Sequence, residues 1–300
     1  MYGSFEEIRQ AALERGGARV AVPMGHDPAS LEALVTAARQ GLLEAVVIAP
    51  AEQVRRTLEG LGMKLPPGVS IEDQNDEQAA ALRAVQLVSE GGATMLMKGL
   101  LKTSTFLKAV LDEKLGLRTG GILSHVAVVH VPRQDRLVAI TDGGMNIRPD
   151  AGQAMDIVRN AAFVIRRLGA DSARVALMAA IEAVNDKMPE TLLWKELAER
   201  GIPGIHMDGP MAVDGAMDPD AAAIKGMTGE VAGKANVLVT PDIASGNIFA
   251  KAFMYMTNAQ VGGLVAGAAA PVVMLSRSDT PETKLNSLAL GVVVSGGGHD

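Results

Sequence analysis

Four polar residues, Ser276-Arg277-Ser278-Asp279, follow directly on an apolar stretch that ends at Leu275. A guanidinium presents paired N–H groups to a phosphate or carboxylate, and a hydroxyl beside it can donate to a developing oxyanion. Asp279 and Glu282 stand at capping-box spacing and Pro281 falls in the first turn, so a helix is expected to start here with Asp279 as its N-cap. A helix N-terminus adds positive potential to that of Arg277, a pairing suited to an anion held between them. The competing reading is a surface salt bridge from Arg277 to Asp279 or Glu282.

The same arrangement recurs along the chain. "MLMK" ends in Lys98 and runs into Gly99, Lys102, Thr103 and Ser104. "VAIT" is followed by Asp142-Gly143-Gly144 and Asn146, and "GIHM" by Asp208-Gly209-Pro210 and Asp214. "VLVT" is followed by Pro241-Asp242 and then Ser245-Gly246-Asn247. Each group taken alone also reads as ordinary turn or N-cap chemistry. Their recurrence at strand ends points to a ligand site, because open α/β sheets bind ligands at the carboxyl ends of their strands.

The elements that carry these groups are short apolar runs alternating with helical periods. Arg19–Pro23, Ala45–Pro50 and Thr94–Lys98 read as buried parallel strands; Leu31–Leu43, Ala51–Leu61, Asp76–Glu90 and Thr103–Lys114 read as helices. Gly120–Pro132 and Arg136–Thr141 are consecutive strands with a short polar turn, hence a hairpin or edge pair. The rhythm resumes with helix Ala151–Leu168, strand Arg174–Ala180, helix Pro189–Arg200, strand Ala235–Thr240 and helix Ser245–Thr257. Such alternation implies βαβ units and mostly parallel sheets. The change of rhythm near residue 130, and the likeness of Pro271–Val294 to the first units, suggest two α/β lobes. The first is expected over 1–128 and 266–300, the second over 129–265, with the site in the cleft between them.

Composition narrows the chemistry. The 300 residues carry a formal charge of −6 and few aromatics, which disfavours nucleic-acid and anionic-membrane surfaces. There is no cysteine, so disulfides, zinc–thiolate sites and a cysteine nucleophile are excluded. The N-terminal residues read as a charged amphipathic helix without a signal core, and the apolar run Val261–Leu275 is too short and too broken to span a bilayer. A soluble, cytoplasmic protein is expected. His26, His125, His130, His206 and His299 lack metal-ligand spacing, so no metal site is expected. Neither G-x-S-x-G nor G-x-G-x-x-G occurs. "TGEVAGKANV" is not a P-loop: Gly229 and Gly233 are one residue too close, and Ala235 replaces the magnesium-binding hydroxyl.

"MKGLLKTSTFLKAVL", "GLRTGGILSHVAV", "DGPMAVDGAM", "GEVAGKANVLVTPDIASGN" and "APVVMLSRSDTPETKLNSLAL", in this order, resemble the phosphate acetyl/butyryltransferase family across essentially the whole chain. "MKGL", "GLRTG", "SHVAV", "TGEVAGKA" and "SRSDTPETKLNSLAL" resemble the butyryl branch more than the acetyl branch. The resemblance implies a two-lobed, three-layer αβα enzyme with a fold similar to isocitrate/isopropylmalate dehydrogenases, a homodimer or higher homo-oligomer. It implies acyl exchange between coenzyme A and inorganic phosphate, with no metal or prosthetic group; the coenzyme A thioester is a substrate.

By position in these motifs, Ser276 and Arg277 belong to the active site, Arg277 holding phosphate and Ser276 donating to the thiolate or the oxyanion. Arg118 best matches a CoA-contacting arginine of the acetyl branch, with Lys98 and Lys102 as further cations; Lys108 reads as a solvated face. Asp142, Asn146, Asp208, Pro210, Asp242, Gly246 and Asn247 match motif positions on the facing rim. One departure stands out. Thr283 occupies the place where the acetyl branch has an aspartate proposed as base. Either Asp279 or Glu282 takes over, or no strong base is needed. The rival readings are the same chemistry on acetyl-CoA, an oxidoreductase of the dehydrogenase-like fold, and a non-catalytic CoA-binding relative.

Overall fold

The computed structural model describes residues 1–276 and 278–296. The chain begins with α1 (Phe5–Arg15), β1 (Arg19–Pro23), α2 (Pro28–Arg39), β2 (Glu44–Ala49), α3 (Ala51–Gly60), β3 (Val69–Asp73), α4 (Glu77–Ser89), β4 (Met95–Met97) and α5 (Thr103–Val110). It continues with β5 (Ser124–Val131), β6 (Arg136–Thr141), α6 (Ala151–Arg167), β7 (Ala173–Met178), α7 (Pro189–Arg200) and β8 (Ile205–Met211). Next come α8 (Val213–Met217), α9 (Pro219–Ile224), β9 (Val237–Val239) and α10 (Ile243–Met256). The last elements are β10 (Val261–Ala266), β11 (Val272–Val273) and α11 (Pro281–Ser295). Contacts divide the chain into two compact units. The terminal unit is Phe5–Gly120 with the chain from Gly262 onward; the inserted unit is Gly121–Val261 with Met1–Ser4.

In the terminal unit the strand order is β3-β2-β1-β4-β11-β10. Every neighbouring pair is parallel except β10 with β11. The inner strands are apolar at nearly every position because helices cover both faces of a parallel sheet. β3 escapes the sequence pattern: "VSIED" is half polar, as befits an edge strand paired on one side to β2 alone. The helices start where cap chemistry allows. Asp27 accepts from the Ser30 N–H at 3.0 Å with Pro28 at the first helical position, and Asp76 accepts from Ala79 at 2.7 Å. The expected helix Thr103–Lys114 stops at Val110 because the Asp112 carboxylate captures the N–H groups of Lys114 and Leu115, each at 2.9 Å.

β11 is two residues long, yet it is fixed in register. Val272 and Val273 pair with Leu96 and Met97, and the ladder extends through Leu96 N to Pro271 O (3.1 Å) and Lys98 N to Val273 O (2.9 Å). α11 lies over it. A Cβ on Gly291 would press on the Met95 Cε and the Val273 Cγ2. At the strand tips the backbones of β1 and β4 touch. Gly99 N donates to Pro23 O at 3.2 Å and Leu100 N to Met24 O at 2.7 Å.

In the inserted unit the order is β5-β6-β9-β7-β8. β5 and β6 form the expected antiparallel hairpin, and the remaining pairs are parallel. The buried Trp194 of α7 anchors the helix to the sheet by donating its indole N–H to Met178 O at 2.8 Å. One expectation is corrected here. β8 does not end before Asp208 but runs through Asp208-Gly209-Pro210 to Met211. A register shift between Ala176 and Met178 absorbs the irregularity, and Gly209 lies against Leu177 where a Cβ would not fit. Among the described residues no helix is long and apolar enough to cross a membrane.

At Gly99 a methyl group would meet the backbone carbonyls of Met24 and Pro23, which cannot swing aside as a side chain can. Gly99→Ala is expected to lower stability by about 1–3 kcal/mol, seen as a lower urea midpoint at unchanged slope.

Candidate active site

The terminal unit gathers several candidates at the carboxyl ends of β1, β4 and β11. Lys98 follows β4, is half-buried, and its ammonium donates to Gly99 O at 3.3 Å. Past β1, burial pushes the His26 imidazole below its ordinary value, so it is neutral at pH 7. Past β11 the chain reverses in a tight turn. Ser276 N donates to the Asp279 carboxylate at 2.7 Å, and Asp279 N donates back to Ser276 O at 3.1 Å. The Ser276 hydroxyl is exposed and lies 3.0 Å from that of Ser278. Arg277 lies outside the described residues.

The N-cap of α11 is therefore Thr280 and not Asp279. The Thr280 hydroxyl accepts from Thr283 N at 3.1 Å, with Pro281 at the first helical position. Asp279 is held away from the cap because its carboxylate reaches back to Ser276. Thr283 is occupied by the same cap, its hydroxyl 3.0 Å from that of Thr280. Lys102 is exposed at the N-cap position of α5 and makes no cap bond with its side chain. Arg118 is exposed, 3.5 Å from Glu113, on a segment tied to the 267–269 chain by Ala269 N to Leu117 O and Thr119 Oγ1 to Gly267 O.

One residue of this region was not anticipated. Lys284, in α11, is 6% exposed. The signal was present in "TKLNSLAL": a lysine four residues before Leu288 and seven before Gly291 shares their helix face, and that face is buried.

In the inserted unit Asp142, Asn146, Gly246 and Asn247 come together. The Asp142 carboxylate is 3% exposed and accepts from four donors: Gly144 N (2.8 Å), Met145 N (3.0 Å), Asn146 N (3.1 Å) and Asn146 Nδ2 (2.6 Å). Asn146 Nδ2 also donates to Leu123 O at 2.8 Å, and Asn247 Nδ2 donates to Gly143 O at 3.0 Å. Gly246 allows α10 to approach the Asp142 carbonyl; a Cβ there would strike it. These polar groups build a rigid loop at the tip of β6. Asp242 caps α10, accepting from Ser245 N at 2.8 Å and Ser245 Oγ at 2.7 Å.

Asp208 stands inside β8, its carboxylate accepting from Gly209 N at 2.8 Å, and Pro210 is buried beside it. No hydrogen bond between the described residues joins these two to the Asp142 cluster. Asp214 pairs with Lys225 at 2.8 Å, and Lys225 with Glu182 at 2.6 Å. Met211 is 1% exposed in the core of this unit.

The geometry is that of an α/β protein with polar groups collected at strand tips, and comparison with known proteins gives it a family. Residues 68–292 match the family model described as phosphate acetyl/butaryl transferase. The chain belongs to this family. It is 40% identical over 300 residues, covering 99% of both chains, to a phosphate butyryltransferase of Clostridium acetobutylicum. It is 38% identical to a phosphate acetyltransferase of Thermotoga maritima, over 94% of this chain and 97% of the other. Among solved structures, a branched-chain phosphotransacylase from Enterococcus faecalis superposes with a TM-score of 0.84 at 32% identity, covering 94% of this chain and all of the other.

Asp242 titrates below its ordinary range. The Ser245 N–H and hydroxyl hold its carboxyl below the usual carboxylate range, opposed by partial burial and helped by the Ala244 N–H and Arg148. The folded value lies below the unfolded one, so the stabilisation is full above about pH 4 and is lost as pH falls through the folded value. Asp242→Ala is expected to cost about 1 kcal/mol in urea melts at neutral pH. The gap between wild type and variant should close as the buffer is taken below about pH 4.

Proposed function

We propose that the protein is a phosphate acyltransferase that exchanges the acyl group of a short-chain acyl-CoA with inorganic phosphate, giving an acyl phosphate and CoA. The single observation that carries the reading is the end-to-end match, 40% over 300 residues, to an enzyme of that activity. The geometry agrees with it: an exposed hydroxyl at the tip of β11, held by the Asp279 turn, in the motif shared with that family. Butyryl-CoA is proposed as the preferred substrate because the "MKGL", "GLRTG" and "SRSDTPETKLNSLAL" motifs resemble the butyryl branch. The identities to the two kinds of relative, 40% and 38%, are nearly equal.

In the proposed reaction an oxygen of phosphate adds to the thioester carbonyl carbon, and the carbonyl electrons move to oxygen. Collapse of that adduct breaks the carbon–sulfur bond, and the electron pair leaves with the CoA thiolate. Arg277 holds the phosphate and offsets its charge. The Ser276 hydroxyl donates to the oxyanion or to the departing thiolate, a contribution of about 3 kcal/mol to the barrier. Holding both substrates in line supplies much of the rest.

No strong base is required, since much of the phosphate is already dianionic near neutrality. The Asp279 carboxylate, already engaged with Ser276 N, serves the turn. Lys98, Lys102 and Arg118 are proposed to receive the phosphates of CoA. No prosthetic group enters the scheme. The assembly is taken to be a homodimer or larger, in keeping with the exposure of Ile248, Tyr255 and Met256 on α10 (70%, 62% and 82%), and the location to be the cytoplasm.

The test is thiol release from acetyl-, propionyl- and butyryl-CoA, with and without phosphate. Release is expected to depend on phosphate, with kcat/KM highest for butyryl-CoA. Ser276→Ala should lower kcat by roughly 10²–10³-fold, and Arg277→Ala should raise the KM for phosphate. Release indifferent to phosphate sinks the reading; equal or better turnover of acetyl-CoA moves it to the acetyl branch.

A further inference from the structure

α10 is apolar around most of its circumference, yet only Gly246 and Ala250 of its 14 residues are buried. A helix of that composition belongs in an interior. Two apolar stripes run along it at helical spacing: Phe249, Phe253 and Met256 on one, Ile248, Ala252 and Tyr255 on the next. Phe249 and Phe253 are half-buried, their ring centroids 5.5 Å apart. With Val131, Ile140, Met217 and Leu238 they wall a recess of about 520 Å³ inside the inserted unit. Ile248, Tyr255 and Met256 stand out into solvent. One helix therefore offers both an apolar hole and, beside it, the apolar side chains to fill such a hole.

The recess is separate from the strand-tip cluster. Arg133 and Gln134 of the hairpin turn line it, and that turn stands at the amino end of β6, whereas Asp142 follows its carboxyl end. Tyr255 and Met256 lie about 20 Å along α10 from Asp242. Nor does the rest of the chain supply a cover. Arg277 and 297–300, the positions outside the described residues, include no apolar residue larger than glycine.

The rim decides between occupants. It carries both signs: Arg133 lies 3.5 Å from Asp218, Asp214 lies 2.8 Å from Lys225, and Lys251 is exposed between Ile248 and Tyr255. A partner of one charge sign, such as a nucleic acid or a basic peptide, meets like charge on such a rim. A second copy related by a two-fold axis brings cation to carboxylate and projecting side chain to recess together, because in an isologous contact one surface is its own complement.

We propose that the exposed face of α10 and the adjoining recess form a two-fold interface with a second copy of this chain, with Ile248, Tyr255 and Met256 of each copy packed against the recess of the other. This gives a surface to the homo-oligomer of the proposed function. Its readouts are masses and cross-links, so its failure and that of the acyltransferase reading are told apart.

The experiment is sedimentation of the full-length protein at micromolar concentration, wild type against Ile248→Asp and Met256→Asp, with Leu192→Asp on α7 as the exposed apolar control. Wild type is expected to sediment as a dimer. Either α10 substitution should raise the dissociation constant about thirtyfold or more, and the control should leave it unchanged. The chain has no cysteine, so an introduced thiol can be joined by a short bismaleimide only to the thiol of another copy. Tyr255→Cys should cross-link to a dimer and Glu59→Cys on α3 should not, which keeps the proposal testable if the aspartate variants fail to fold. A monomeric wild type overturns the proposal. So does a dimer that survives both α10 substitutions, or one that cross-links through Glu59→Cys and not through Tyr255→Cys.

Discussion

Two main-chain hydrogen bonds, from Leu96 N to Pro271 O and from Lys98 N to Val273 O, tie the late strand β11 to the early strand β4. The terminal unit's chemistry depends on that short ladder. Parallel pairing puts the carboxyl ends of both strands at one level, so residues from opposite ends of the chain become neighbours: Lys98 on one side, Ser276 on the other. α11 then packs over the same two strands, Gly291 lying against Met95 and Val273. A slip of one residue in β11 would turn its two valines to opposite faces and carry the serine turn out of place. The register is guarded by burial of both valines and by the contact of Gly291 with Met95 and Val273.

The polar residues at the strand tips divide into those that build and those left open. Asp142 spends its carboxylate on four donors from the residues that follow it, and Asn146 and Asn247 spend their amides on backbone carbonyls. Asp242 holds the start of α10, and Asp279 holds the turn after β11. A buried loop needs its N–H groups satisfied, and a carboxylate that satisfies several at once fixes the loop's shape. Such residues prepare a surface. The Ser276 hydroxyl, by contrast, is exposed, with the Ser278 hydroxyl and N–H beside it at 3.0 and 3.4 Å.

Much of this was legible in the sequence. The apolar runs fixed β1, β2 and β4 to within a residue or two, and the hairpin of β5 and β6 followed from two strands joined by a short polar turn. The α/β class and the family followed from the motifs. What escaped had physical causes. β3 is an edge strand with polar residues, so it lacks the buried-strand signature. β8 passes through Asp208-Gly209-Pro210, residues that usually stop a strand, because a bulge and a glycine accommodate them. Asp279 has the spacing of an N-cap, but Thr280 competes for the same helix end and succeeds because Asp279 is bound elsewhere. Lys284 was hidden because a lysine near a helix start is ordinarily solvated; only its stripe-mates Leu288 and Gly291 betray the burial.

The terminal unit's discontinuity has a consequence for the nascent chain. Residues Phe5–Gly120 leave the ribosome before the inserted segment, yet the neighbour that covers β4 is not translated until the whole of that segment has been made. Throughout that interval Met95-Leu96-Met97 is a bare apolar edge, the kind of border that recruits foreign strands. Its brevity, three residues, is a natural safeguard: it offers too few amides for an intruder to hold, while the native newcomer arrives on the same polypeptide with a helix to clamp it down.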